Sequence, residues 1–246
     1  MNHEIDEFNS YVKNYDMSNK WIKLKHYHTL MVMKNCEQIA KYLNLTDEDI
    51  YLAKLIGLLH DIGRFEQAKL YNSLSDENMD HASYGVKLLF ENNLIRNYIS
   101  DTKYDEIIKF AIENHNKYKI EETSDNRKLM FAKIIRDADK IDIFRVLYTE
   151  INSTFDSLPS KNILNVFYNE KEGNNLNVKN NSDEIIIRLC FLYDLNYYVS
   201  FKLLNNYKYI DKYLNSIKID NNYINIFNNV KNKTYEYINR RLGNEK

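Results

Sequence analysis

The sequence predicts an all-α protein, on three observations. Five glycines and a single proline, Pro159, are few helix breakers for 246 residues. Leu, Ile, Lys, Glu and Tyr abound, with Asn left for caps and loops. Apolar residues also recur at helical spacing along most of the chain. The length suits one large domain, or a domain with a sizeable extension, and allows a substantial core.

Residues 22–43 carry His28, Val32, Cys36, Ile39 and Leu43 on one face, which predicts a helix. Thr46, with Asp49 three residues on, makes a capping-box-like start for a helix over 47–62. Ala53, Ile56, Leu59 and His60 form its inner face, and Gly63 supplies a stop. The polar stretch 72–80 predicts a loop before a helix over 81–92. A further helix over 103–116 carries Ile108, Ala111, Ile112 and His115 on one stripe, and 127–149 is the most strongly helical segment. Pro159 and the polar run 169–183, a loop or a short hairpin, are the clearest breaks. Residues 184–204 read as one largely buried helix, followed by helices over 206–217 and 221–241. No internal repeat is visible. The organisation expected is a helical bundle over 1–150 with a helical extension over 151–246 packed on it as one structural unit.

The formal net charge of −1, from 34 Lys+Arg against 35 Asp+Glu, gives no general attraction for nucleic acid or anionic membrane. Cys36 and Cys190 lie in apolar helical patterns with no CxxC, so no disulfide framework is expected and a reduced compartment fits best. The opening "MNHEIDEFNSYVKNYDMSNK" is too polar and acidic for a signal peptide, and no run approaches the roughly 18 apolar residues of a spanning helix. A cytoplasmic protein without a membrane partner is expected.

Four histidines carry the chemistry. His28, His60 and His115 interrupt apolar stripes, and His81 opens a helix after an acidic turn. One such histidine alone reads as a core residue bonded to backbone. Three on separate stripes, with Asp61 beside one, read differently, because each buried polar group costs about 1–3 kcal/mol if unpaired. A shared cation satisfies them together, and imidazole with carboxylate suits Mn, Fe, Ni, Co or Zn. His60 and Asp61 end a helix, where side chains roughly 100° apart can lean on one ion. In "IIRDADKIDIF", Asp139 shares a face with Phe131, Ala132, Ile135, Ile143 and Val146 and so points inward. Asp137 lies about 200° around the helix and reads as solvated or ion-paired. Asp142 follows Asp139 by one turn and is a candidate supporting residue.

The ordered series "HTLMVMKNCEQIA" from His28, "LLHDIGRFEQ", "DHASYG", "AIENH" and "IIRDADKID" resembles the HD superfamily of metal-dependent phosphohydrolases, over roughly residues 20–150. The resemblance implies a helical bundle with His28, His60, Asp61 and Asp139 as ligands of a first metal. It implies His81 and His115 as the two further histidines of members that hold a second metal, with Asp61 bridging. Members with this series are phosphodiesterases, nucleotide and dinucleoside-polyphosphate hydrolases, and a few di-iron oxygenases. The chain has "DIGR" where several phosphodiesterases carry a lysine at the Arg64 place, and it has no Gly-Tyr-Pro signature. Both departures argue against a cyclic-dinucleotide phosphodiesterase.

The expected function is therefore hydrolysis of a phosphomonoester, phosphodiester or phosphoanhydride in a small, nucleotide-like substrate, with one or two divalent transition-metal ions. Asp61 would also accept a hydrogen bond from the nucleophile. Arg64 is either a bidentate phosphate clamp or a surface arginine. Lys140 is a second phosphate candidate, against a solvated-face reading. Asp80 and Glu113 are candidates to orient His81 and His115. The alternatives are a di-iron oxygenase on the same ligands, or a regulatory module with a vestigial metal site. A macromolecular nuclease lacks a visible basic stripe. Tyrosines of the C-terminal half, Tyr193, Tyr197, Tyr198, Tyr207, Tyr209 and Tyr213, could stack a base or make a homo-oligomer contact, with plain packing preferred.

Overall fold

The computed structural model describes residues 1–173 and 178–243, and the all-α class holds: among them only two two-residue strands depart from helix, turn and loop. The chain divides into two compact units, Met1–Asp139 and Lys140–Lys246, with the division inside one long helix.

Unit 1 begins with α1 (Asn2–Val12) and α2 (Lys20–Tyr42), the latter capped by the Asn19 side chain accepting from Trp21 N at 2.8 Å. The expected cap of α3 (Asp47–Leu59) is present, with Thr46 Oγ1 accepting from Asp49 N at 3.2 Å. α3 lies along α2 at close range because residue 57 is glycine. A Cβ there would stand 2.8 Å from Met33 Cα and 3.0 Å from Cys36 Sγ. This approach brings the stripe of His28 to the end of the helix that carries His60.

The helix expected over 47–62 is broken two residues earlier than Gly63. α3 ends at Leu59, Asp61 sits at φ −107°, ψ 18°, and α4 runs over Ile62–Tyr71 with Gly63 inside it. Gly63 is thus not the stop. Its missing side chain serves packing, since a Cβ would meet His81 O at 2.2 Å and Gly85 N at 2.9 Å. α4 can therefore press against α5 (His81–Val86), which continues as a π-helical turn over Lys87–Glu91. α6 (Asp105–Asn114) follows a short 3₁₀ turn, and α7 (Asn126–Thr149) crosses the division. Asn35 Nδ2 of α2 donates to Ala138 O of α7 at 3.2 Å, beside Asp139.

Unit 2 holds the end of α7, α8 (Lys161–Tyr168), α9 (Asn181–Leu189), α10 (Tyr198–Tyr207), α11 (Tyr209–Ser216) and α12 (Ile224–Gly243). Strands β1 (Thr154–Phe155) and β2 (Lys218–Ile219) pair in parallel. The single helix expected over 184–204 is two helices, parted by a 3₁₀ turn over Cys190–Asp194 and an extended link. "DLN" at 194–196 supplies local turn partners there, Asn196 Nδ2 donating to Asp194 O at 3.1 Å. Of the run expected as a loop or hairpin, residues 174–177 lie outside the described residues. Phe155, Phe167, Phe201, Tyr213 and Phe227 are fully buried in this unit, each contributing about 1.5–3 kcal/mol. Its tyrosines mainly pack, as Tyr193 does edge-on to Tyr237 with ring centroids 4.7 Å apart.

Candidate metal centre

Unit 1 gathers four imidazoles in edge-to-face succession. Ring centroids are 5.6 Å apart from His28 to His60, 5.1 Å from His60 to His115 and 4.9 Å from His115 to His81. All four are buried, as is Asp61. Asp61 is the N-cap residue of α4, yet its carboxylate makes no capping bond and turns to the imidazoles instead.

Its two oxygens face different partners. Oδ2 lies 3.4 Å from His60 Nε2 and 3.6 Å from His28 Nε2; Oδ1 lies 3.2 Å from His81 Nε2 and 3.6 Å from His115 Nε2. Asp139 Oδ1 completes the Oδ2 side, 3.0 Å from His28 Nε2 and 3.8 Å from His60 Nε2. Metal–ligand bonds of about 2.0–2.2 Å put neighbouring ligand atoms about 3.0–3.6 Å apart in octahedral or tetrahedral geometry, so these edges suit an ion on each side. Ligand atoms of His28, His60 and Asp139 lie within 4.8 Å of one another, as do those of His60, Asp61 and His115.

Hydrogen bonding sets the imidazole tautomers. His60 Nδ1 is 2.8 Å from Gly57 O and His115 Nδ1 is 2.7 Å from Ile112 O; a carbonyl only accepts, so both Nδ1 atoms donate. His81 Nδ1 donates to Asp76 Oδ1 at 2.7 Å. Each ring, when neutral, therefore aims a bare Nε2 inward, and the Nε2 atoms of His81 and His115 meet at 3.0 Å. His60 Nε2 is buried without a hydrogen bond and faces carboxylate oxygens of Asp61 and Asp139. Two acceptors facing each other repel unless a proton or a cation stands between them. The donor set fits a divalent transition ion.

Charge follows the same logic. Burial opposes a charge on His60, but Asp61 and Asp139 outweigh it and push its pKa up to about 9. Burial, helped by His81 and His60, drives His115 down to about 4 against the pull of Asp61. Burial alone would raise the Asp61 carboxyl, yet Lys25, His60 and His115 hold it well below the usual carboxylate range. Asp139 is likewise held low by His28 and His60 against its burial.

Residues 26–143 match the family model of the HD domain. The chain contains an HD domain. That domain marks the metal-dependent hydrolase superfamily, and the match ends just past Asp139. No curated protein and no solved structure matches the chain. No helix of the described residues is long and apolar enough to cross a membrane, and Cys36 and Cys190 are free and buried.

The remaining candidates of the HD domain and its flank stand as follows. Arg64 is engaged with its own loop, donating Nη1 to Leu74 O at 2.7 Å and Asp76 Oδ1 at 2.9 Å. Lys140 Nζ pairs with Asp194 Oδ2 at 2.5 Å. Asp142 is buried and grips Arg145 through both oxygens, at 2.6 and 2.8 Å. Asp137 is not solvated: it is fully buried, because α7 is enclosed on nearly every face from Phe131 to Arg145. Asp80 caps α5, accepting from Ser83 N at 2.8 Å, and it is Asp76 that holds His81. The Ile112 carbonyl, not Glu113, takes the Nδ1 proton of His115.

Sequence reasoning missed Lys25, whose Nζ lies 2.6 Å from Asp61 Oδ2. Its signal was available: it precedes His28 by three residues, one turn along the same face of α2. Arg136 was also missed. Its buried guanidinium donates to Asn114 O at 3.0 Å, Tyr118 O at 3.1 Å and Lys117 O, binding the segment that carries His115.

Proposed function

We propose that the chain hydrolyses a phosphoester or phosphoanhydride bond of a small, nucleotide-like substrate, using two divalent transition-metal ions. His28, His60, Asp139 and Asp61 Oδ2 would hold one, and His81, His115 and Asp61 Oδ1 the other. The observation that carries this reading is the division of the Asp61 oxygens between two imidazole pairs. Ions bound there lower the pKa of water toward neutrality and draw charge from phosphoryl oxygens. Asp61 would help hold both ions and would accept a hydrogen bond from the attacking water. Lys25 pairs with Asp61 Oδ2 at 2.6 Å in the metal-free chain, and an ion taking that oxygen would release its ammonium for a phosphoryl oxygen. Lys140 takes no part in this reading, since its ammonium is committed to Asp194. Nucleotide-like substrates are supported by the motif series, which resembles that of nucleotide and dinucleoside-polyphosphate hydrolases. The net charge of −1 argues against nucleic acid polymers.

The test is a panel of nucleotides, dinucleotides and simple phosphomonoesters, assayed for release of phosphate or nucleotide with Mn, Fe, Co, Ni or Zn added. Hydrolysis of at least one class is expected, lost at least 1000-fold in Asp61→Asn. Oxygen consumption by the iron-loaded protein without hydrolysis would replace this reading with an oxygenase. Inactivity with every metal, beside unchanged partner binding in His60→Ala, would replace it with a regulatory module.

A further inference from the structure

The loop 72–80 joins α4 to α5, and most of its residues are exposed. Two side chains of α4 nevertheless hold it from beneath. Gln67, fully buried, holds the two hydrogens of Nε2 among three acceptors, Ser75 O at 2.9 Å, Met79 O at 2.8 Å and Asp76 Oδ1 at 2.9 Å. Arg64 Nη1 donates to Gln67 Oε1 at 2.7 Å, as well as to Leu74 O and Asp76 Oδ1. One bond from each side chain reaches Asp76 Oδ1, which also accepts from His81 Nδ1 at 2.7 Å, and the others fix the loop backbone around it. Burying a glutamine and most of an arginine under a surface loop is costly, the more so as Arg64 Nε finds no hydrogen-bond partner. What they secure is the position of one carboxylate against one imidazole.

The geometry points to Asp76 as a positioning residue: held by Arg64 and Gln67, it sets the tautomer and ring direction of His81 and so strengthens the second ion's place selectively. This inference rests on the two-ion reading above. His60 and His115 donate to backbone carbonyls, whereas His81 donates to a carboxylate. An acidic partner makes the opposite ring nitrogen a stronger donor to metal than a carbonyl does. Arg64 then acts through Asp76 rather than on phosphate.

The metal-free full chain is titrated with Mn²⁺ by calorimetry, for wild type, Asp76→Asn and Asp76→Glu. Asp76 is 37% exposed, so replacement by asparagine opens no void. Wild type should take two equivalents. Asp76→Asn should keep one within about twofold and lose the other by about 10–100-fold, and Asp76→Glu should restore it. Separately, the Zn²⁺-loaded wild type should show a downfield proton resonance for the His81 Nδ1–H bond, assigned by its loss in His81→Gln. Equal affinities for both equivalents in Asp76→Asn, or equal weakening of both, overturns the inference while leaving the two-ion reading intact. Absence of the His81 resonance from wild type overturns it even if the asparagine variant does not fold. A wild type that binds one equivalent overturns the two-ion reading and this inference with it.

Discussion

In the metal-free protein a proton and an ion compete for His60 Nε2. The pKa of about 9 means that His60 is almost wholly protonated at neutral pH, with the Asp61 and Asp139 carboxylates as its counter-ions. An ion entering the Oδ2 side must expel that proton. The protonated fraction falls from essentially one at pH 6.5 to about three quarters at pH 8.5. The bare fraction therefore rises on the order of 100-fold, worth roughly 2–3 kcal/mol of apparent affinity. His115, held near 4, carries no proton to expel. Isothermal titration in buffers of differing ionisation enthalpy should show about one proton released from His60 per first-site ion near pH 7, and affinity climbing by close to one decade per pH unit. The same shift has a stability sign. A folded pKa raised above the unfolded 6.5 gives stabilisation that is full below 6.5 and lost as pH rises through about 9. Metal-free protein should thus lose about 3 kcal/mol from this group over that range, read as a falling melting temperature. Affinity that stays flat between pH 6.5 and 8.5, with no proton release, would refute the reasoning.

Asp139→Asn should weaken the first ion at least tenfold, seen by calorimetry, with the second little changed. Gly63→Ala drives a methyl group into His81 O and Gly85 N, both backbone atoms. It should cost about 3 kcal/mol, or roughly 6–12 °C in Tm; a change under 1 °C contradicts the packing argument. Lys25→Met should keep or raise metal affinity while lowering turnover at least tenfold, a split that steady-state kinetics beside calorimetry resolves. Thr46→Ala should cost about 1 kcal/mol in denaturant unfolding, the worth of one helix cap.

Part of the site was legible from local rules alone. The Thr46 cap and the stripes ending in His28, His60 and His115 needed only periodicity and capping chemistry. The pattern was silent where a feature depends on an approach between helices. Gly63 looked like a helix stop because glycine usually ends helices, whereas its actual constraint is the backbone of α5, twenty residues away. Asp137 reads as solvated or ion-paired from the sequence, and the solvated alternative fails because facing arguments assume a helix with one wet side, which α7 almost lacks. Asp80 reads as the partner of His81 from its adjacency, and nothing in the sequence marks Asp76. A residue just before a helix is committed to its cap, and a loop returning over α4 supplies the carboxylate instead. Lys140 and Arg64 illustrate the same limit, since a cation's availability depends on acids that only the fold brings near.

The central claim is that Asp61 stands between two ions. Anomalous diffraction from crystals of the Mn²⁺-loaded protein tests it most directly. The account predicts two peaks about 3.5–4 Å apart, one beside Oδ2 with His28, His60 and Asp139, the other beside Oδ1 with His81 and His115. A fully loaded crystal with a single peak beside Asp61, or with none, would contradict it.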